Sequence, residues 1–159
     1  MFVSAVITTD EKSLAVLNSL IRAGRDSEQG YLAAADGVAE APLVEIFSHY
    51  AVQRAKFASE LEDRVRTLRA QPPNGGSPGG EVHRAWMGLK AALATSAAHA
   101  ILEECERGED MAVMAYRQAL AEPDVDKQTR EVIQRQYEFI QAAHDRIRQL
   151  RDSPTYAHR

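Results

Sequence analysis

The sequence predicts an all-α protein, a four-helix bundle in which a long crossover connection carries a short extra helix. Apolar residues recur three or four positions apart over several long stretches, which is the period of one face of an α-helix. Two short breaks divide these stretches into pairs, so each pair is predicted to form an antiparallel hairpin. Between the pairs lies the segment QPPNGGSPGG, whose proline and glycine content predicts a linker.

The composition is that of an ordinary water-soluble domain. Charged residues make up 26% and apolar residues 45% of the 159 residues, and the formal net charge is −4. This charge disfavours nucleic acid as a partner, and no apolar run approaches the ~20 residues that span a membrane. Cys105 is the only cysteine, so a reducing, cytoplasmic location is expected. We expect one helical domain over residues 1–152 and a loose tail over 153–159.

The first predicted hairpin consists of helices over 10–37 and 42–70. Thr8 and Glu11 have the spacing of a capping box at the start of the first helix, and Pro42 suits the first turn of the second. The seam of the first helix contains a carboxylate among its apolar and small residues: Leu14, Leu17, Ile21, Gly24, Glu28, Tyr31 and Ala35. Because an unpaired buried charge costs several kcal/mol, this carboxylate must be paired, protonated or bound to a metal.

After the linker over 71–80, the sequence predicts a short helix over 81–94 and a second hairpin over 97–121 and 126–152. We interpret Trp86 as an anchor that packs the short helix onto the bundle. A connection of this length can retrace a ~40 Å helix, so it is a crossover rather than a tight turn. The helix that follows has a seam of small residues, at which a partner helix can approach closely: Ile101, Cys105, Gly108, Ala112, Ala115 and Ala119.

Polar residues of the first hairpin are predicted to meet inside the bundle. Counting residues back from the first turn places Glu28 within one helical turn of Gln53 and Arg54. An ion pair between Glu28 and Arg54 is the interpretation that we favour for the buried carboxylate. A metal ligand and a local helix irregularity that exposes Glu28 are the alternatives.

The second hairpin contributes polar residues at the same level. Counting through its turn places Glu103 opposite His144 and Glu106 opposite Gln141, while Glu109 is also a candidate for the inward position. We interpret His144 as a hydrogen-bonded core histidine, with a ligand or proton-transfer role as the alternative. The predicted core polar network comprises Glu28, Gln53, Arg54, Glu109, Gln141 and His144.

Five segments resemble a bacterial family of ferritin-like four-helix bundles whose function is unassigned. They are DSEQGYLAAADGVA, YAVQRAKFASELE, VHRAWMGLKAAL, AILEECERGEDMAVMAY and AAHDRIRQLRD, and the similarity extends over roughly residues 14–152. The resemblance implies the ferritin-like fold and a distant relation to di-iron proteins of the ferritin and rubrerythrin type. It implies no activity.

The sequence departs from the ligand pattern of a di-iron centre. Such a centre takes a glutamate from each of two helices and a Glu-x-x-His motif from each of the other two. Glu28 and a glutamate of the 97–121 helix match the single glutamates. The first motif would fall at 53–56, which reads Gln-Arg-Ala-Lys, and the second at 141–144, where only the histidine remains. The arginine and lysine would repel two metal ions.

These observations lead to three hypotheses about function. We expect a non-catalytic bacterial protein, stress-related by its resemblance, with a degenerate metal site, no cofactor, and self-association into a homo-oligomer through a helical face. The alternative is an oxidoreductase or storage protein that binds iron or manganese at a reduced site of Glu28, Glu106 and His144. A third hypothesis is a small-ligand binder with an apolar cavity near Cys105 and Gly108.

Overall fold

The computed structural model describes residues 8–74, 86, 88–95 and 97–157 of the chain. These residues form five helices: α1 (Thr9–Gly37), α2 (Ala41–Thr67), α3 (Leu89–Thr95), α4 (Ala98–Ala121) and α5 (Lys127–Asp152). No strand occurs among them, so the all-α prediction is confirmed. Most of the predicted 71–80 linker and of the first half of the 81–94 helix lies outside the described residues. None of the helices described is both long enough and apolar enough to cross a bilayer.

Local hydrogen bonds fix where two of the long helices begin. At the start of α1, Thr8 Oγ1 accepts from the Glu11 backbone N–H at 3.1 Å, and Glu11 accepts in return from the Thr8 N–H, which confirms the predicted capping box. At the start of α5, Asp126 accepts from the backbone N–H and the hydroxyl of Thr129, at 2.9 and 2.6 Å. Partial burial acts to raise the pKa of Asp126, but these hydrogen bonds outweigh it and lower the pKa.

Helices α1 and α4 run antiparallel, as their contacts at two heights show. Near the start of α1, Lys12 donates to Asp124 just beyond the end of α4, at 2.6 Å. Further along α1, the Tyr31 hydroxyl donates to Glu109, which lies earlier in α4. Residue numbers rise along α1 in the direction in which they fall along α4, so the two helices are antiparallel.

Helices α2 and α5 are antiparallel by the same criterion. Gln136 donates to Glu60 at 2.6 Å, and Arg64, one turn further along α2, donates to Thr129 at 3.3 Å, earlier in α5. Since α1 and α2 also form an antiparallel hairpin, α2 and α4 point in the same direction. The connection between them therefore has to run back along the bundle, and the predicted crossover topology is confirmed.

The core consists of two apolar clusters, one towards each end of the bundle. The cluster nearer the α1–α2 turn includes Tyr31, Phe47, Trp86, Ile101 and Ile147. The cluster at the opposite end includes Leu17, Leu61, Val65, Tyr116 and Ile133. The tail was expected to be loose, but this expectation is wrong for the part described. Tyr156, which follows the end of α5, is buried as a member of the first cluster.

Trp86 anchors the crossover connection in a slot between α1 and α4. Gly30 of α1 and Gly108 of α4 face the two sides of the indole, and a Cβ atom added at either glycine would overlap the ring. The Tyr31 ring packs edge-on against the indole, with centroids 5.0 Å apart. The small residues of the α4 seam thus admit a tryptophan side chain.

We predict that Gly108→Ala lowers the free energy of unfolding by about 1–3 kcal/mol, because the added methyl group overpacks the indole slot. Gly24→Ala is the matched control. A Cβ there would lie 3.5 Å from Ala58 Cβ, an ordinary contact. Alanine has a better helix propensity than glycine, so Gly24→Ala should raise the free energy of unfolding by up to about 1 kcal/mol. Urea unfolding followed by circular dichroism measures both. A Gly108→Ala protein as stable as Gly24→Ala would show that the slot is not tightly filled.

Candidate functional site

A buried ion pair between Arg54 of α2 and Glu109 of α4 separates the two apolar clusters. The exposed fraction is 1% for Arg54 and 0% for Glu109. Arg54 Nη2 lies 2.7 Å from Oε1 and 2.8 Å from Oε2 of Glu109. The Tyr31 hydroxyl of α1 donates a further hydrogen bond to Glu109 Oε1. Three helices therefore converge on one carboxylate, and both of its oxygens have partners, as a buried charge requires.

The guanidinium of Arg54 is held on its other sides by Gln53 and Tyr31. Nε donates to Gln53 Oε1 at 3.3 Å, and Cζ lies 5.5 Å from the centroid of the Tyr31 ring. Within the described part of the chain, Nη1 is buried without a hydrogen-bond partner. Burial acts to lower the pKa of Arg54, but the charge of Glu109 and its hydrogen bond with Arg54 outweigh burial and raise the pKa, so the guanidinium stays charged.

The polar groups beside the ion pair stay neutral. Burial, reinforced by the charge of Glu109, raises the pKa of the Tyr31 hydroxyl well above its usual value. Burial likewise raises the pKa of the Cys105 thiol, which makes Cys105 an inert core residue rather than a nucleophile. The pair is thus one positive and one negative charge inside an otherwise uncharged shell.

These residues do not fit a di-iron centre. Glu109 is the one fully buried carboxylate among the residues described, whereas two metal ions need several anionic oxygens. Its two oxygens already contact the fixed positive charge of Arg54, which would repel any metal ion placed beside it. The negative charge of Glu109 is therefore balanced by Arg54 rather than by a metal ion.

A second polar cluster lies at the side of the bundle, between α4 and α5. Ligand atoms of Glu106, Asp110 and His144 lie within 4.8 Å of one another. The His144 ring Nε2 is 2.6 Å from Asp110 Oδ1, and its Nδ1 is 3.1 Å from Asp145 Oδ1. The hydrogen bond with His144 lowers the pKa of Asp145. The imidazole is therefore fixed between two carboxylates, only 6% exposed.

Two arginines neutralise Glu106 in this cluster. Arg148 Nε donates to Glu106 Oε1 at 3.0 Å, and Arg151 donates to Oε2. Glu106 is 6% exposed, so it is a second buried carboxylate that depends on arginine partners. Both arginines come from the last turns of α5, and the pairs tie the end of α5 to the middle of α4.

The predicted ion pair between Glu28 and Arg54 is wrong. The buried stripe of α1 passes through Ser27 and Tyr31, so Glu28 lies at the edge of the interface with α2. There it accepts a hydrogen bond from Arg25 at 3.0 Å. Successive residues of a helix point about 100° apart, so an error of one position in the inward stripe moves a side chain from the core to its edge.

The predicted polar network divides into separate groups. Glu109 contacts Arg54 in the bundle centre, whereas Gln53 is half-buried and contacts Arg54 from the neighbouring position of α2. Gln141 and His144 lie at the side of the bundle, where both contact Asp145, at 3.2 and 3.1 Å. The sequence predicts a single polar layer. The structure instead has three separate features: a central ion pair, a lateral cluster and the contact of Glu28 with Arg25.

The predicted register of the second hairpin is also wrong. His144 faces Asp110 rather than Glu103, and Glu106 faces Arg148, about two helical turns from the predicted partner. The reduced metal site predicted from Glu28, Glu106 and His144 is consequently not assembled, although its last two members do meet. A count of residues cannot supply the axial offset that the connection between α4 and α5 introduces.

The predicted apolar cavity near Cys105 and Gly108 is contradicted by the structure. The indole of Trp86 fills the space in front of Gly108, and Cys105 is packed in the same apolar cluster. A tryptophan from the crossover connection provides the large side chain that the small seam lacks. The hypothesis of a small ligand bound at this seam is therefore abandoned.

The sequence did not identify two side chains of the polar clusters. Tyr31 is the hydroxyl donor to Glu109, and the signal for it was a tyrosine in an apolar seam, because a buried hydroxyl needs a partner. Asp110 is the partner of His144, and the signal was its position four residues after Glu106, which places both carboxylates on one side of α4.

The fold is that of a ferritin-like helical bundle. A solved structure of a Mycobacterium smegmatis Dps1 mutant superposes with a TM-score of 0.73 at 12% sequence identity, covering 91% of this chain and 97% of that one. The chain belongs to the family described as Domain of unknown function (DUF2383), which matches residues 12–122. These findings confirm the resemblance noted from the sequence. A search of curated proteins found no match.

We predict that Glu109→Ala lowers the free energy of unfolding by about 3–5 kcal/mol, because it leaves the Arg54 guanidinium buried without a counter-charge. The triple variant Tyr31→Phe, Arg54→Met, Glu109→Leu should recover most of the loss, since it removes the charges together with the hydroxyl that depends on them. Unfolding of both variants and of wild type in guanidinium chloride gives the free energies to compare. A loss in the triple variant as large as in Glu109→Ala would mean that the lost packing, rather than the orphaned charge, sets the cost.

Proposed function

We propose that this protein is a non-catalytic ferritin-like bundle in which an internal ion pair replaces the di-iron centre. The observation that supports the proposal is the contact between Arg54 and Glu109. A fully buried arginine lies on the helix that, in the di-iron pattern, would carry a Glu-x-x-His motif. It neutralises the carboxylate that a metal ion would need.

The role that remains for such a bundle is to present its outer surface, and the proposal includes self-association into a homo-oligomer. Large apolar side chains are exposed on the adjacent helices α2 and α5, where Val52 is 69% and Phe139 51% exposed. The Phe139 ring already packs edge-on against Phe57 of α2, with centroids 6.0 Å apart. A second copy of the chain would cover the outer side of these rings and remove apolar surface from water.

Iron oxidation tests the non-catalytic part of the proposal. We predict that the protein, supplied with Fe²⁺ in air, consumes oxygen no faster than buffer alone, because the centre offers no vacant anionic oxygens. Glu109→Gln and Glu103→Gln form a matched pair, since each removes one carboxylate from α4 and the Glu103 side chain is 50% exposed. Turnover that is lost in Glu109→Gln and kept in Glu103→Gln would identify a working metal centre in the bundle and end the proposal.

Light scattering after size exclusion tests the association. We predict that Phe139→Ser weakens self-association by roughly tenfold or more, because burying a phenylalanine contributes about 1.5–3 kcal/mol. Met114→Ser is the control, since Met114 is 44% exposed on α4 rather than on the α2–α5 side. A monomeric wild-type protein, or equal dissociation by both variants, would contradict association through this face.

A further inference from the structure

The cluster at the side of the bundle has the composition of a metal site that is separate from the bundle centre. We propose that Glu106, Asp110 and His144 bind one divalent first-row transition ion, for which Zn²⁺ is the probe. The three ligand atoms lie within 4.8 Å of one another. Zinc takes histidine nitrogen and carboxylate oxygen at about 2.0–2.2 Å, so modest side-chain rotations bring all three around one ion.

The positions of the three ligands in the sequence mean that a bound ion would cross-link α4 and α5. Glu106 and Asp110 are four residues apart, so they project from the same side of α4, and His144 projects from α5 towards them. Two carboxylates and one imidazole are a donor set that suits zinc, manganese and iron in their divalent states. The bound ion would therefore join the two helices of the second hairpin.

His144 is oriented in the way that a metal-binding histidine requires. Its Nδ1 lies 3.1 Å from the Asp145 carboxylate, and this contact leaves Nε2 directed at Asp110, 2.6 Å away. Metal-binding histidines are commonly fixed by a carboxylate on the ring nitrogen that faces away from the ion. Asp145 occupies that position here. The ring is 6% exposed, so packing also limits its rotation.

The site has an entry path. A cleft of about 540 Å³ opens beside the cluster and is bordered by Asp110, Gln141, His144 and Asp145. An ion can reach Nε2 from this side, and water from the cleft can complete its coordination.

Arg148 and Arg151 weaken the site without closing it. Each donates to one oxygen of Glu106, but their side chains are 53% and 27% exposed. Unlike the fully buried Arg54, they can turn towards water and leave a lone pair of a carboxylate oxygen for a metal ion. Two positive charges so close to the ion still lower its affinity by Coulomb repulsion. Removing one arginine should therefore tighten binding, which is the opposite of what removing a ligand does.

Calorimetric titration with Zn²⁺, on the full chain after chelator treatment and chelator removal, tests the site. We predict one ion per chain, and His144→Ala and Asp110→Asn should each weaken binding by at least about tenfold. Glu103→Gln is the matched control, because it removes a carboxylate from the same helix. The Glu103 side chain is 50% exposed and pairs with His99. This variant should leave the affinity nearly unchanged.

Arg151→Gln decides the outcome, because a misfolded variant could not produce the predicted gain in affinity. Tighter binding by Arg151→Gln, together with weaker binding by His144→Ala, supports the site. Zinc uptake by wild type equal to that of the Asp110→Asn, His144→Ala double variant would overturn the proposal, and so would weaker binding by Arg151→Gln. These results are independent of Glu109, so they leave the proposed function of the bundle centre unaffected.

Discussion

The contact between Arg54 and Glu109 constrains how the two hairpins pack against each other. Arg54 belongs to the first hairpin and Glu109 to the second, and both side chains are fully removed from water. Apolar contacts between helices are non-directional, so many rotations and offsets bury similar areas. A displacement of about one helical turn would leave a guanidinium and a carboxylate buried without partners, at a cost of several kcal/mol. We infer that the ion pair selects this arrangement from others of similar apolar burial.

The surroundings of the pair protect it from water and metal ions. Tyr31 donates to Glu109 on one side and packs on the Trp86 indole on the other, with the ring centroids 5.0 Å apart. Trp86 in turn fills the slot between two glycines of α1 and α4. The crossover connection joins two helices that point in the same direction. Through Trp86 and Tyr31 it also covers the ion pair. Fold and site depend on the same few side chains.

The sequence was informative where a single helix determines the outcome. The capping box of Thr8 and Glu11 follows from local spacing, and this prediction is confirmed. The sequence was misleading where two helices have to be aligned. Glu28 lies at the edge because the inward stripe of α1 passes through Ser27, and an apolar period defines that stripe only to within one residue. The partner of His144 depended on an axial offset that local spacing does not contain.

The most direct test of the central claim is a crystal structure of the protein grown with excess Mn²⁺ and measured for anomalous scattering. We predict that the Arg54 guanidinium contacts both oxygens of Glu109 and that no anomalous peak lies between them. An anomalous peak bound by Glu109, with Arg54 turned away, would contradict the account, because it would show that the bundle centre takes its counter-charge from a metal ion.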